Sequence, residues 1–73
     1  MQLKEARYQA IGKADSLPSE ETICIYRIKP RQFELEVGIN PFKKGLVQVI
    51  SVEWVKNGWY QKYHPDYFRP LST

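Results

Sequence analysis

The most regular pattern along the chain is the alternation of polar and apolar residues over 32–39, and residues 22–29 before it are also strand-like. Alternation with a period of two is typical of strands that bury one face. The two stretches flank Pro30 and Arg31, and proline suits the second position of a tight turn. The pattern therefore predicts an antiparallel hairpin with a two-residue turn.

That turn also predicts which residues of the two strands lie opposite each other. Ile28 pairs with Phe33, and on the reverse face Arg27 pairs with Glu34 as a cross-strand ion pair. The remaining pairs in this register are apolar, namely Tyr26 with Leu35 and Cys24 with Val37. We therefore expect one apolar sheet face that another part of the chain must cover.

A second hairpin is predicted around Asn57 and Gly58. Asn-Gly between two strand-like stretches is the strongest short signal for a two-residue hairpin turn, because both positions need positive φ. The flanking strands are residues 46–56 and 59–64. This hairpin places Trp54 on the buried face of the sheet.

The apolar alternation changes phase inside the strand predicted over residues 46–56. Val47 and Val49 are in one phase, whereas Ile50 and Val52 are in the other. A bulge near Val49 or Ile50 accounts for the change. A central strand that is covered on both faces also accounts for it. Both alternatives predict a long and bent strand.

The N-terminal residues predict a short helix. Residues 2–11 are good helix formers whose apolar members share one face, and Gly12 is suited to end the helix as a left-handed cap. A helix of about ten residues is not stable alone, so it must dock on the rest of the chain. Residues 12–21 then form a connection in which Leu17-Pro18 breaks the helix.

Two further segments are rich in turn-forming residues. Residues 40–45 connect two of the strands, and Phe42 within them is expected to fold back over the sheet edge. Residues 65–73 contain two prolines and are expected to form a turn and a short edge segment. The turn at His64 and Pro65 resembles one that precedes the last short strand of Src homology three and similar small barrels. The resemblance covers only this turn and the segment after it.

Together these elements predict an α+β fold in which a short N-terminal helix packs on a small, bent antiparallel sheet of three to five strands. A small barrel resembling Src homology three domains is the alternative. With 73 residues, of which 42% are hydrophobic and 26% charged, residues 1–73 are expected to form a single domain with one core.

Composition excludes several classes of protein and site. Cys24 is the sole cysteine, so an internal disulfide is impossible. The apolar runs are too short for a transmembrane helix and the first residues do not form a signal peptide, so a cytoplasmic location is expected. His64 is the sole histidine and Asp66 is its only close acidic neighbour, so we expect no metal and no other cofactor.

Catalysis is not expected either. Glu34 and Glu36 share a strand face with Arg27 opposite, which is more typical of a solvated surface than of an acid–base pair. The sequence contains no glycine-rich phosphate loop and no nucleophile motif. We therefore expect a protein that is not an enzyme.

Six of the aromatic residues fall within residues 52–70, where they can build a core or form a surface. Roughly four of them are needed as core in so small a domain. The others would form an exposed aromatic patch beside nearby cations. The candidate partner-binding residues are Trp59, Tyr60, Tyr63, Tyr67, Lys56, Lys62 and Arg69.

Three functions are compatible with such a patch. The net charge of +3 is weak and is spread along the chain, so we favour a small binding module or adaptor that docks a protein partner. Binding of single-stranded nucleic acid through the same patch is the second hypothesis. In the third, the chain is a structural subunit of a larger assembly. Each of them is compatible with a homo-oligomer.

Overall fold

The computed structural model describes residues 1–68, so residues 69–73 of the segment predicted over residues 65–73 lie outside the described part. Within that part the elements are α1 (Leu3–Ala14), β1 (Thr22–Lys29), β2 (Gln32–Val37), β3 (Leu46–Ser51), α2 (Val52–Lys56), α3 (Trp59–Tyr63) and a 3₁₀ turn (Pro65–Phe68). The predicted α+β fold is confirmed. The helix α1 packs on an open antiparallel sheet of strand order β2-β1-β3, so the barrel alternative is not needed.

The helix α1 extends three residues beyond the predicted end at residue 11, and alanines make up much of its packing face. Ala6, Ala10 and Ala14 recur at every fourth position and are fully buried. Residues four apart lie on one face of a helix, and alanines allow a close approach to the sheet. Gly12, which was expected to end the helix, lies on its exposed side and is helical.

The β1–β2 hairpin has the predicted two-residue turn but not the predicted register. Lys29 pairs with Gln32 as expected, yet the next pair joins Arg27 to Phe33. Ile28 is therefore an extra residue in β1, a bulge that moves every later pair by one position. A shift of one residue exchanges the two faces of the sheet.

This bulge changes the partners of the central strand. Tyr26 lies opposite Glu34, and Leu35 lies opposite Ile25. The predicted Arg27–Glu34 pair is therefore wrong. The face that meets α1 carries Ile25 and Leu35, while Tyr26 shares the other face with Glu34.

The core lies between the sheet and the helices. Its members are fully or almost fully buried: Ala6, Ala10, Ile11, Ala14, Ile23, Ile25, Ile50, Val52, Val55, Tyr60 and Tyr67. Leu3, Leu17, Phe33, Leu35 and Phe68 pack around them. No helix in residues 1–68 is long and apolar enough to cross a lipid bilayer.

The opposite face of the central strand is covered by the loop between β2 and β3. Cys24 and Tyr26 are fully buried on this face. The backbone N–H of Asn40 donates to the Tyr26 hydroxyl over 3.2 Å, and the Lys43 ammonium lies 4.8 Å from the centre of the Tyr26 ring. Phe42, which was expected to fold over the sheet edge, is instead 93% exposed. Lys43 covers the sheet in its place.

The chain between residues 46 and 56 does not form one long strand. Strand β3 ends at Ser51, whose hydroxyl accepts a hydrogen bond from the backbone N–H of Trp54 over 3.3 Å. A serine in this position caps the first turn of a helix. The segment after Ser51 is therefore the short helix α2.

The irregularity in β3 also lies at a different position from the predicted one. Gln48 and Leu46 pair with consecutive residues of β1, so Val47 between them is left without a partner. The bulge predicted near Val49 or Ile50 is therefore wrong. The alternative of a central strand is wrong as well, because β3 lies at the edge of the sheet.

Candidate functional site

Asn57 and Gly58 join two helices and do not form the predicted hairpin turn. Asn57 has right-handed helical backbone angles, with φ −83° and ψ −2°, whereas Gly58 is left-handed with φ 81°. The N–H of Gly58 donates to the carbonyl of Val55 over 3.1 Å, and its carbonyl accepts from the N–H of Lys62 over 3.0 Å. Gly58 thus ends α2 and begins α3, so the strand predicted over residues 59–64 is wrong.

The helical conformation of α3 brings Trp59 and Tyr63 together. Residues four apart lie on the same side of a helix. The two rings stack with centroids 5.8 Å apart and an angle of 5° between their planes. Trp59 is 43% exposed and Tyr63 is 60% exposed. In a strand the same two residues would be too far apart for this contact.

A cation lies over the stacked rings. The Lys62 ammonium is 5.9 Å from the centroid of the Trp59 ring and 5.4 Å from that of Tyr63. At these distances the ammonium is attracted to the electron-rich faces of the rings. Trp59, Lys62 and Tyr63 are termed the α3 aromatic surface below.

Two other predicted site residues, Tyr60 and Tyr67, are buried and hold α3 in place. Their rings stack with centroids 6.0 Å apart. The Tyr60 hydroxyl accepts from the N–H of Ser51 over 3.4 Å, and the Tyr67 hydroxyl accepts from the side-chain amide of Gln48 over 3.0 Å. Both tyrosines therefore attach the C-terminal helices to β3.

Arg7 and Gln48 complete this attachment, and no sequence signal indicated either of them. The Arg7 Nε–H donates to the Gln48 side-chain oxygen over 2.8 Å, and the guanidinium carbon lies 5.1 Å from the centre of the Tyr67 ring. His64 also stacks on Tyr67, with centroids 4.7 Å apart. Arg7 and Gln48 are 41 residues apart, so only the tertiary structure brings them together.

Trp54 is a second exposed indole of this region, although the predicted hairpin placed it in the core. It is 54% exposed on α2, while Val52 and Val55 are buried. Positions three apart share the inner face of the helix. The Trp54 ring lies 6.0 Å from that of Tyr60.

The remaining predicted site residues are cations. Lys56 is exposed, and its ammonium donates to the backbone carbonyl of Leu17. Lys62 belongs to the α3 aromatic surface. Arg69 lies outside the described residues. Of the two predicted cations within residues 1–68, the structure therefore brings Lys62 onto the exposed rings.

A cleft of about 510 Å³ lies between α1 and the C-terminal helices. Its lining consists of Tyr8, Gln9, Ile11, Gly12, Asp15, Val55, Gln61 and Phe68. Asp15 is the one carboxylate among these described lining residues, and they include no histidine, cysteine or serine. Tyr8 and Asp15 are the titratable side chains among these lining residues.

The α3 aromatic surface groups two exposed, stacked rings and a cation on the C-terminal helices. Residues 1–68 contain no group of three or more histidine, cysteine, aspartate or glutamate side chains that could hold a metal ion. Cys24 is a free and buried thiol. Comparisons of the chain with protein-family models, with curated proteins and with solved structures found no match.

Proposed function

We propose that the chain is a small non-catalytic binding module that docks a protein partner through the α3 aromatic surface. The observation that carries this proposal is the stacking of two half-exposed rings, Trp59 and Tyr63, on the outer side of a helix. Tryptophan and tyrosine are the residues that most often dominate the binding energy of protein interfaces.

The two rings already stack in the chain without a partner. Tyr60 on the inner side of α3 is buried and bonded to the backbone of Ser51. Association costs about 0.5–1.5 kcal/mol for each flexible side chain that becomes immobilised. Rings that already stack on an anchored helix lose less of this freedom, so more of their contact energy contributes to affinity.

Lys62 defines the chemistry of the expected partner. Its ammonium lies over both rings and is exposed to solvent. A partner that places an apolar side chain against Trp59 or Tyr63 and a carboxylate beside Lys62 would use all three side chains. We therefore expect an interface with an apolar centre and an acidic rim.

The test starts from proteins captured by the tagged chain from its native host, followed by binding kinetics with each purified candidate. Trp59→Ala should weaken binding by more than about tenfold, mainly by faster dissociation. Lys62→Gln should mainly slow association and reduce the dependence on salt. Tyr8→Ala, which changes an exposed tyrosine on α1, should bind like the parent.

Single-stranded nucleic acid is the competing ligand for the same rings. Its affinity would fall with salt by about 0.7 logarithmic units per phosphate contacted. We favour a protein because, within residues 1–68, Lys62 is the one cation over the rings of the α3 aromatic surface. Binding of an unstructured oligonucleotide at physiological salt, lost in Trp59→Ala, would reverse this preference. Equal capture of every candidate by the parent and Trp59→Ala would contradict the proposed surface.

A further inference from the structure

The loop between β2 and β3 presents Phe42 to solvent on a closed turn. The Asn40 carbonyl accepts from the N–H of Lys43 over 3.2 Å, and the Asn40 side-chain oxygen accepts from the N–H of Phe42 over 3.0 Å. Between these two bonds Phe42 is 93% exposed. The phenyl ring of Phe42 therefore projects into solvent from a turn that two hydrogen bonds close.

The turn is also fastened to the sheet below it. The N–H of Asn40 donates to the Tyr26 hydroxyl, and its side-chain amide donates to the Glu36 carboxylate over 3.3 Å. Lys43 bonds to Glu36 over 2.8 Å and to Glu34. Because both ends of the turn are held, Phe42 can enter a partner without the cost of ordering a free loop.

One aliphatic side chain lies on the same side of the sheet as this turn. Leu46 pairs with Tyr26 and is 45% exposed. Ile28, the bulge residue of β1 at this end of the sheet, is 50% exposed. Grouped apolar side chains on a protein surface commonly mark a site of interaction.

Three exposed cations lie at this end of the sheet. Lys29 and Arg31 belong to the β1–β2 hairpin, and Lys44 belongs to the loop that carries Phe42. The backbone N–H of Arg27 donates to the carbonyl of Gly45 over 2.8 Å, which holds the two segments side by side. The nearby carboxylates Glu34 and Glu36 are both bonded to Lys43. The hairpin-end surface is defined here as Phe42, Ile28 and Leu46 with Lys29, Arg31 and Lys44.

We propose that the hairpin-end surface docks on an anionic lipid membrane. Phe42 would enter the boundary between headgroups and acyl chains, while the cations contact acidic headgroups. The charge of the surface is complementary to that of an anionic bilayer, and its projecting apolar group matches the apolar interior. Leu46 and the loop that carries Phe42 lie on the Tyr26 face of the sheet, away from α1, so this proposal does not depend on the α3 aromatic surface.

Nucleic acid suits this surface less well. Binding of single strands relies on aromatic rings on which successive bases can stack. Tyr26, the ring at the centre of this sheet face, is fully buried beneath Lys43. Phe42 is the exposed aromatic ring of the hairpin-end surface, so a single base at most could stack there.

The test is co-sedimentation of the chain with vesicles of phosphatidylcholine and phosphatidylserine at about 7:3, compared with phosphatidylcholine alone. We expect binding to the anionic vesicles that weakens as salt is raised. Phe42→Ser should lower the affinity by about tenfold or more, because the phenyl ring no longer leaves water. Neutralisation of Lys29, Arg31 and Lys44 to glutamine should lower it by about a hundredfold, since each cation contributes about fivefold.

Two variants on α1 serve as matched controls, because both residues are exposed and lie on the other side of the sheet. Tyr8→Ser matches the loss of Phe42, and Lys13→Gln matches the loss of one cation. Both should bind anionic vesicles like the parent, and circular dichroism should show the same fold for all variants. Failure of the parent to bind these vesicles would overturn the proposal. A single-stranded oligonucleotide that binds as tightly as the vesicles would also overturn it, in favour of nucleic acid, if the cation variant loses this binding and Phe42→Ser keeps it.

Discussion

Lys43 lies over the ring of Tyr26, with its ammonium nitrogen 4.8 Å from the ring centre. The same ammonium bonds to the carboxylates of Glu34 and Glu36. The bonds to Glu34 and then to Glu36 raise the pKa of Lys43 to about 12. The bond from Lys43 holds the pKa of Glu36 below its ordinary value. A polar loop residue thus covers a sheet face that has no helix on it.

Replacement of Lys43 should destabilise the fold. In Lys43→Met the two carboxylates lose their shared partner and repel each other on one strand face. We expect a lower midpoint of urea unfolding than in the parent. Lys44→Met is the matched control, because Lys44 is the exposed neighbour in the same loop. Equal midpoints for the parent and Lys43→Met would show that the bonds from Lys43 to the two carboxylates contribute nothing to the stability of the fold.

The contribution of Lys43 should also depend on pH in a bell-shaped manner. The pKa of Glu36 is lower in the folded state, so its share of the stability is present above the ordinary value of 4.5 and is lost as the pH falls through the folded pKa. The pKa of Lys43 is higher in the folded state, so its share is present below 10.5 and is lost as the pH rises through about 12. The difference in unfolding free energy between the parent and Lys43→Met should therefore be largest between these limits. A difference that stays constant from acid to alkaline pH would contradict the ion pairs.

The turn between α2 and α3 should require glycine at position 58. Gly58 has φ 81°, and a side chain costs about 1–2 kcal/mol in this left-handed conformation. An added Cβ meets no atom within 4 Å, so the effect of Gly58→Ala would be conformational. Gly12→Ala is the matched control within helical α1 and should stabilise by about 0.5–1 kcal/mol. Chemical denaturation should show a lower free energy of unfolding for Gly58→Ala and a higher one for Gly12→Ala than for the parent.

Trp54 should contribute little to stability despite its size. Because the indole is 54% exposed, we expect Trp54→Ala to cost less than about 1 kcal/mol. Ile50→Ala, at a fully buried position in β3, should cost about 2–5 kcal/mol. The midpoints of urea unfolding would show which of the two variants loses more stability. A larger loss in Trp54→Ala would support the buried face that the hairpin pattern predicted.

Part of the candidate site was predictable from the sequence. Trp59, Tyr63 and Lys62 were identified because aromatic residues and cations are concentrated in this segment. The stacking of the two rings was not predictable from a strand, because it needs the four-residue spacing of a helix. The anchoring pair Arg7 and Gln48 was missed because the two residues are distant in the chain.

Asn57 and Gly58 explain why the second hairpin was predicted and not found. A glycine with positive φ is required both at a hairpin turn and at the end of a helix, so the dipeptide alone does not distinguish them. The segment from Val52 to Val55 is equally ambiguous, since it has apolar residues at spacings of both two and three. Burial of Val52 and Val55 in the core decides in favour of the helix.

The sequence by itself determined the elements whose signal is local. A strand-like apolar run indicated β1, alternation indicated the start of β2, helix-forming residues indicated α1, and Pro30-Arg31 indicated the first turn. Only the tertiary structure decided the register, because the bulge at Ile28 places Ile23 and Ile25 against α1 and moves Tyr26 beneath Lys43. The physical reason is that a one-residue shift costs little locally but exchanges the faces of the strand, so the burial of the whole sheet selects it.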